Sequence, residues 1–248
     1  MTDGRAGRGR QPFFLAPGFH KPHLPWTAPK KFFDLYPTGS IKLPAEPALG
    51  RVPAIALQTE LSGFPQPDSR VEAIRGYYAC ISFTDAHVGL LLDEFDRRSL
   101  WSNTVVVLVG DNGFHLGDHG GLWAKLSAFD ASTRVPLIMA GAGVPAGRVV
   151  SAPVELLDIY PTLAELGGFT APIGLDGQSL VSLMNGRATA RTRPAASLVY
   201  HYDARPQDGR RRTHSDRRAV ALHGMGRRQG RPRTLLALRR YRRISESH

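Results

Sequence analysis

The uninterrupted apolar segments of the sequence are short, and the clearest one ends at a turn-forming residue. All residues from Val105–Val109 are aliphatic, and the run stops at Gly110. A run of this length predicts a strand buried on both faces, which is typical of a parallel sheet. Residues 12–16 and 135–140 predict two more strands of this kind. The pattern therefore favours an α/β protein organised around a buried sheet.

Helical spacing of apolar residues is clearest within residues 70–98. Aliphatic and aromatic side chains recur there at intervals of three and four, and no proline interrupts them. This pattern predicts one long amphipathic helix that leads into the strand at Val105. Weaker patterns predict four further elements, which are a helical turn in 30–35, a short strand at 149–151, a helix starting near Pro161 and a short helix ending at Met184.

Polar side chains follow the Val105–Val109 run at once, because Asp111 and Asn112 come directly after Gly110. Ligands of open α/β sheets bind beyond the carboxyl ends of the strands, and carboxylate and amide oxygens are ligands of hard cations. We therefore expect a cation site at the end of this strand. Lys125 follows in the same region and could face an anionic ligand bound to that cation.

A second group of polar side chains lies in the proline-rich segment 17–26. His20, Lys21 and His23 fall close together there, and the prolines fix an extended loop around them. These residues could form an anion-binding surface, but on the residue types alone a solvated loop is favoured. The aperiodic, proline-rich segment 29–70 that follows predicts a long surface excursion or lid.

Composition and charge distinguish the two ends of the chain from its middle. The formal net charge is +11, yet residues 194–248 alone carry a balance of +10 through 14 arginines, so the rest is nearly neutral. Residues 1–11 lack periodicity and the apolar region of a signal peptide, and they predict a disordered lead. The arginine clusters predict a basic tail of low order. The chain is thus divided into residues 1–11, a domain at 12–186 and a tail at 187–248.

Cysteine content and hydropathy exclude two structural classes. A single cysteine, Cys80, excludes an internal disulfide framework. It falls on the apolar side of the predicted helix, where an inert core role is expected. No apolar segment is long enough for a transmembrane helix, so we predict no membrane span.

Several segments of the predicted domain share motifs with one enzyme family. Residues 110–120 read Gly-Asp-Asn-Gly-Phe-His-Leu-Gly-Asp-His-Gly, and residues 122–125 read Leu-Trp-Ala-Lys. Residues 13–25 read Phe-Phe-Leu-Ala-Pro-Gly-Phe-His-Lys-Pro-His-Leu-Pro. The first pair resembles the second metal-binding segment of the sulfatases, and the last resembles a signature of their iduronate-2-sulfatase-like branch. The same family resemblance extends to residues 133–138, 154–163 and 175–180.

The resemblance implies an alkaline-phosphatase-like α/β/α sandwich with a largely parallel sheet. It also implies a divalent cation, usually calcium and alternatively magnesium, for which Asp111 and Asn112 match two ligands. Lys125 matches the family lysine that contacts the sulfate, and His20 matches the substrate-contacting histidine of the branch. His115 is a further candidate for substrate contact, although packing and hydrogen bonding are favoured for it.

The reaction implied by the resemblance is hydrolysis of sulfate esters, with a sulfated small molecule or glycan as partner, in a family whose members are often exported. Such enzymes attack with a formylglycine made within a Cys-x-Pro-x-Arg motif, and an Asp-Asp pair completes their metal site. Neither pattern occurs here, because Cys80 is followed by Ile-Ser-Phe-Thr and no two aspartates are adjacent. We therefore expect an N-terminally incomplete sulfatase without a catalytic nucleophile, which binds metal weakly and is inactive alone.

Two other functions fit parts of the sequence. A phosphodiesterase or phosphonate hydrolase of the same superfamily would attack with a threonine or serine in place of formylglycine. A basic nucleic-acid-binding protein would use residues 194–248, and its affinity would fall steeply with salt. The abrupt onset of the arginine clusters favours a disordered or aberrantly translated tail over a nucleic-acid-binding one, and the oligomeric state is left open.

Overall fold

The computed structural model describes residues 12–45, 52, 54–57, 65–202, 217–224 and 234–240. The predicted lead at 1–11 lies outside these residues. The helices are α1 (Lys30–Phe33), α2 (Arg70–Arg97), α3 (Asp118–Gly121), α4 (Asp130–Thr133), α5 (Ile159–Leu166) and α6 (Val181–Met184). The strands are β1 (Val105–Val109), β2 (His115–Leu116), β3 (Trp123–Ala124), β4 (Leu137–Gly141), β5 (Ala195–Tyr202), β6 (Arg217–Gly224) and β7 (Thr234–Arg240).

The predicted long helix is confirmed as α2. Glu72 lies in its first turn and Arg97 in its last, where each charge complements the helix dipole. Cys80 is fully buried on its inner side, and burial raises the pKa of the thiol, which fits the inert role predicted for it. The shorter helical patterns are confirmed by α1, α5 and α6. None of the helices in the described part of the chain has the length and apolar character needed to cross a bilayer.

The apolar core joins α2 to the segment that contains the candidate site. Its centre consists of Ala73 and Ile74 of α2 together with Trp123 of β3. The ring of Phe114 stacks on Tyr77 of α2 at a centroid distance of 5.4 Å. Packed around this centre are the half-buried side chains of Trp26, Ile41, Phe114 and Leu116. The loop between β1 and β4 is therefore anchored on a rigid helix by apolar contacts on either side of β2.

Strands β1 and β4 pair antiparallel, with Val109 opposite Leu137. Parallel pairing was predicted for this sheet, and that prediction is wrong for every ladder among the described residues. Burial on both faces is wrong as well, since Val109 is 43% exposed and Ile138 is 59% exposed. An apolar run predicts a strand but not the direction of its neighbour, which depends on where the connection returns. Here the connection 110–136 turns the chain back at the carboxyl end of β1.

Two of the predicted strands do not form. Residues 12–16 have no regular secondary structure and pair with no described strand, and Phe13 and Phe14 are 59% and 86% exposed. Residues 149–151 form no strand either, and Val149 is 87% exposed. A strand needs a neighbouring backbone to bond its N–H and C=O groups, and apolar composition alone does not supply one.

The arginine-rich part of the chain contains a three-stranded antiparallel sheet in the order β5-β6-β7. Ala195 pairs with Gly224, and Gly224 also pairs with Thr234 of the third strand. The predicted absence of regular structure after residue 187 is therefore wrong for these three segments. Each of the three segments contains a short apolar run. In β6 and β7 arginines adjoin this run, and the charge pattern therefore led to a prediction of low order.

A buried ion pair fixes the start of this region against the turn that precedes α5. The Arg191 side chain is 3% exposed, and its Nη2 lies 2.9 Å from Oδ1 of Asp158 and also contacts Glu155. Asp158 is fully buried and accepts the backbone N–H groups of Glu155 at 2.9 Å and Gln178 at 2.8 Å. Segments that are distant in sequence are thus joined at one carboxylate.

Candidate functional site

The predicted cation ligands lie where β1 ends and the connection to β4 begins. Asp111 is exposed, and its Oδ1 accepts the backbone N–H of Asn112 at 3.0 Å. The Nδ2 of Asn112 donates to the carbonyl of Gly113 at 2.8 Å, which fixes the orientation of the side-chain amide. The N–H of Gly113 donates in turn to the carbonyl of Ser132 at 2.8 Å. These bonds hold the two oxygen-bearing side chains at the strand end.

Lys125 lies beside Asn112, with its Nζ 3.2 Å from Oδ1 of the amide. The structure thus brings together the residue predicted to contact an anion and a residue predicted to bind a cation. Lys125 follows β3 directly, and the residues on either side of it, Ala124 and Leu126, have φ values of 70° and 65°. Non-glycine residues in this left-handed region are strained by about 1 kcal/mol or more each.

His20 lies at the start of a loop that packs against α2. Its Nε2 is 3.2 Å from the carbonyl of Leu24, and its ring centroid is 5.1 Å from that of His23. The Lys21 ammonium donates to acceptors within the same loop, and the hydroxyl of Thr84 in α2 donates to the Lys21 carbonyl at 3.1 Å. Lys21 therefore holds the loop in place. The contacts of His20 in the described part of the chain stay within this loop, so they do not join it to Asn112 or Lys125.

His115 is fully buried, and hydrogen bonds engage both of its ring nitrogens. Nδ1 lies 2.7 Å from Oδ2 of Asp118, and Nε2 lies 2.5 Å from Oγ of Ser127. Pairing of β2 with β3 turns the ring inward, so the direct substrate contact predicted for His115 has no support in this geometry. The hydrogen-bonding role that was favoured for it agrees with these contacts.

Asp118 links His115 to the more exposed His119. Its Oδ2 also lies 2.6 Å from Nδ1 of His119, and its Oδ1 accepts the N–H of Leu116 at 3.1 Å. Burial of the carboxylate raises its pKa, but the hydrogen bonds from the two imidazoles outweigh this and hold the pKa of Asp118 well below its usual range. Sequence analysis missed Asp118 and Ser127, because neither has a distinctive spacing to the predicted ligands.

The side chains of His115, Asp118 and His119 could also hold a metal, since one ligand atom of each lies within 4.8 Å of the others. The distances between these atoms argue against a metal ion bound by all three side chains in this conformation. Two ligands of one zinc ion, each bonded at about 2.0–2.1 Å, lie roughly 3 Å or more apart. The nitrogen-to-oxygen distances here are 2.7 and 2.6 Å, which are hydrogen-bond distances.

The lowered pKa of Asp118 predicts a loss of stability in acid. Its folded-state pKa lies below the unfolded value of about 3.9, so its stabilising contribution is complete above that pH and is lost as the pH falls below it. The free energy of unfolding of native protein and Asp118→Asn, measured with urea between pH 6 and pH 3, should differ most at pH 6. The difference between the two free energies of unfolding should become smaller below about pH 4. A constant gap across this range would contradict the prediction.

Comparison with known proteins places these residues in a family. The family model described as Sulfatase matches residues 5–169. A protein named Sulfatase from Formosa agariphila is 39% identical over 184 residues, which cover 71% of this chain and 36% of that protein. Human iduronate 2-sulfatase is 35% identical over 207 residues, which cover 65% of this chain and 37% of that enzyme. The chain therefore spans little more than a third of the length of these relatives.

Structural similarity supports the same assignment at the level of the fold. The phosphonate monoester hydrolase of Silicibacter pomeroyi superposes with a TM-score of 0.66 at 22% identity, covering 87% of this chain and 47% of that one. This similarity confirms the predicted α/β, alkaline-phosphatase-like fold class. Because the family model matches well over half of the residues, the chain belongs to the sulfatase family.

Proposed function

We propose that this chain is the cation- and sulfate-binding part of a sulfuric ester hydrolase that acts on sulfated sugars. The observation that carries the proposal is the 3.2 Å approach of the Lys125 ammonium to Asn112 Oδ1 at the end of β1. A positive charge and hard oxygen donors meet there, which is the chemistry that a sulfate ester bound to a divalent cation requires. The 35% identity to human iduronate 2-sulfatase and the motif at 13–25 support the iduronate-2-sulfatase-like branch.

The cation in this proposal is calcium, with magnesium as the alternative. Asp111 offers carboxylate oxygens and Asn112 an amide oxygen, which are donor types that both ions take. An amide oxygen has two lone pairs, so Asn112 Oδ1 can accept from Lys125 and still bind an ion. Calcium takes six to eight oxygens, so these two residues alone should bind it weakly. When bound, the ion would polarise a sulfate oxygen.

The residues of this chain would bind and orient the ester without attacking it. The Lys125 ammonium would bind the negatively charged sulfate oxygens and hold the ester in position while negative charge develops on the leaving-group oxygen. Cys80 is fully buried in α2 and Ser127 is 1% exposed, so neither is placed to act as a nucleophile. We assign no catalytic nucleophile to the chain and propose that exposed His20 contacts the sugar. We accordingly expect no sulfatase turnover from the chain alone.

Calorimetric titration of the full chain with inorganic sulfate, with and without calcium, tests the proposal. Lys125→Ala removes a charged hydrogen-bond donor and should weaken sulfate binding about tenfold or more. Lys42→Ala, at an exposed lysine in a different segment, is the matched control and should leave the affinity unchanged. Absence of sulfate binding by the native chain, or equal binding by Lys125→Ala, would overturn the proposal. Turnover above that of Lys125→Ala would contradict the expected inactivity.

A further inference from the structure

The backbone on both sides of Lys125 is strained, and contacts with the surrounding structure must keep it in place. Ala124 and Leu126 both have positive φ, and no glycine relieves either position. Strained residues of this kind persist only where the surrounding structure fixes them, and in many proteins they lie at functional sites. If either flank were released, the chain would relax and Lys125 would lose its position beside Asn112. The contacts that fix these flanks therefore determine where the ammonium lies.

His115 contacts both flanks at once. Its backbone is the register partner of Ala124 in the β2–β3 ladder, directly before Lys125. Its ring nitrogen Nε2 lies 2.5 Å from Oγ of Ser127, two positions after Lys125. Ala124 and Ser127 are 2% and 1% exposed, so these contacts are shielded from water. One residue thus closes the turn that carries Lys125.

Asp118 sets the orientation and the proton arrangement of this imidazole. An ionised carboxylate only accepts hydrogen bonds, so the 2.7 Å contact assigns a proton to Nδ1 of His115. Nε2 shares the second hydrogen bond of the ring with the Ser127 hydroxyl, at 2.5 Å. The Ser127 hydroxyl accepts the backbone N–H of Phe129 at 3.3 Å and donates to Oγ of Ser132 at 3.0 Å. Every polar atom of the Asp118–His115–Ser127 chain is satisfied in this arrangement.

The Asp118–His115–Ser127 arrangement resembles a nucleophilic triad in its hydrogen bonds, but a substrate could not reach its serine. A serine that attacks an ester must reach the substrate, and Ser127 is 1% exposed while His115 is fully buried. Because both residues are buried, these hydrogen bonds hold the structure around Lys125 and do not transfer a proton to a substrate.

Resting on the sulfate-binding role proposed for Lys125, we propose that His115 is a positioning residue for it. Oriented by Asp118, His115 holds Ala124 through the strand ladder and Ser127 through its ring, and so presents the Lys125 ammonium to Asn112 and to a sulfate. Removal of the Ser127 hydroxyl should release one flank of the turn and leave the β2–β3 ladder in place.

The contact between Lys125 and Asn112 can be measured without any ligand. The sequence contains only three asparagines, Asn103, Asn112 and Asn185, so selective ¹⁵N-asparagine labelling gives three side-chain amide signals. Lys125→Ala defines the shift of the Asn112 signal when the ammonium is absent. Ser127→Ala should move that signal at least half as far in the same direction, and the other two asparagines serve as internal references.

Ser132→Ala is the matched control, because it removes a neighbouring buried hydroxyl but keeps the His115–Ser127 bond. It also keeps the backbone carbonyl that accepts the Gly113 N–H. We expect its Asn112 signal to stay at the native position. Ser127→Ala should also weaken sulfate binding severalfold, with Ser132→Ala within twofold of native. Circular dichroism and thermal unfolding establish that each variant is folded.

The outcomes separate the two proposals. An unmoved Asn112 signal in folded Ser127→Ala, or an equal shift in Ser132→Ala, would overturn the positioning role of His115, whatever the sulfate affinity. A native chain that binds no sulfate but shows the expected Asn112 shifts would count against the proposed function alone. If Ser127→Ala fails to fold, Ser127→Cys retains a weaker hydrogen-bond donor and should give a smaller shift in the same direction.

Discussion

Replacing Arg191 by methionine should lower the free energy of unfolding by about 3–5 kcal/mol. Methionine fills similar volume but leaves the fully buried Asp158 carboxylate and the Glu155 carboxylate without their cation. An uncompensated buried charge costs far more than a lost surface ion pair, because little water can solvate it. Urea denaturation of the full chain at neutral pH measures the change.

Two further variants identify the cause of this loss. Arg193→Met changes an exposed arginine two positions away and should alter stability by no more than about 0.5 kcal/mol. Adding Glu155→Gln to Arg191→Met removes one uncompensated charge and keeps the oxygen that accepts the Ala196 N–H, so it should regain part of the loss. An unaltered urea midpoint in Arg191→Met would show that the ion pair makes no net contribution to the free energy of unfolding.

Gly113→Ala should destabilise the chain by about 3 kcal/mol and weaken calcium binding at the same time. A Cβ at residue 113 would lie 2.0 Å from the carbonyl oxygen of Ala131 and 3.1 Å from Cα of Ser132. Backbone atoms cannot rotate aside, so the β1–β4 connection must open where Asp111 and Asn112 lie. Thermal unfolding and calcium titration of native protein and variant measure the two effects.

The same substitution elsewhere in the chain gives the control. A Cβ at Gly89 of α2 would meet nothing within 4 Å, and alanine is the better helix former. Gly89→Ala should therefore stabilise the protein by up to about 1 kcal/mol and leave calcium binding unchanged. Equal effects of the two substitutions on calcium binding would mean that close packing at Gly113 does not shape the cation site.

Local patterns of residues were enough to predict several elements of the fold. The spacing of apolar residues predicted α2 almost to its ends, and the aliphatic run predicted β1 with Asp111 and Asn112 at its end. It also identified Lys125, which the structure places against Asn112. The predictions of α2 and β1 succeeded because helix periodicity and strand composition are properties of neighbouring residues.

The partners that those elements contact could not be predicted from local patterns. The antiparallel direction of β4, the burial of His115 between Asp118 and Ser127, and the pairing of Arg191 with Asp158 all join residues from separate segments. Burial and hydrogen bonding depend on what the folded chain brings alongside a residue, and a residue's type and sequence neighbours do not specify this. For that reason the sequence could name Lys125, but the way its strained backbone is held became visible only in three dimensions.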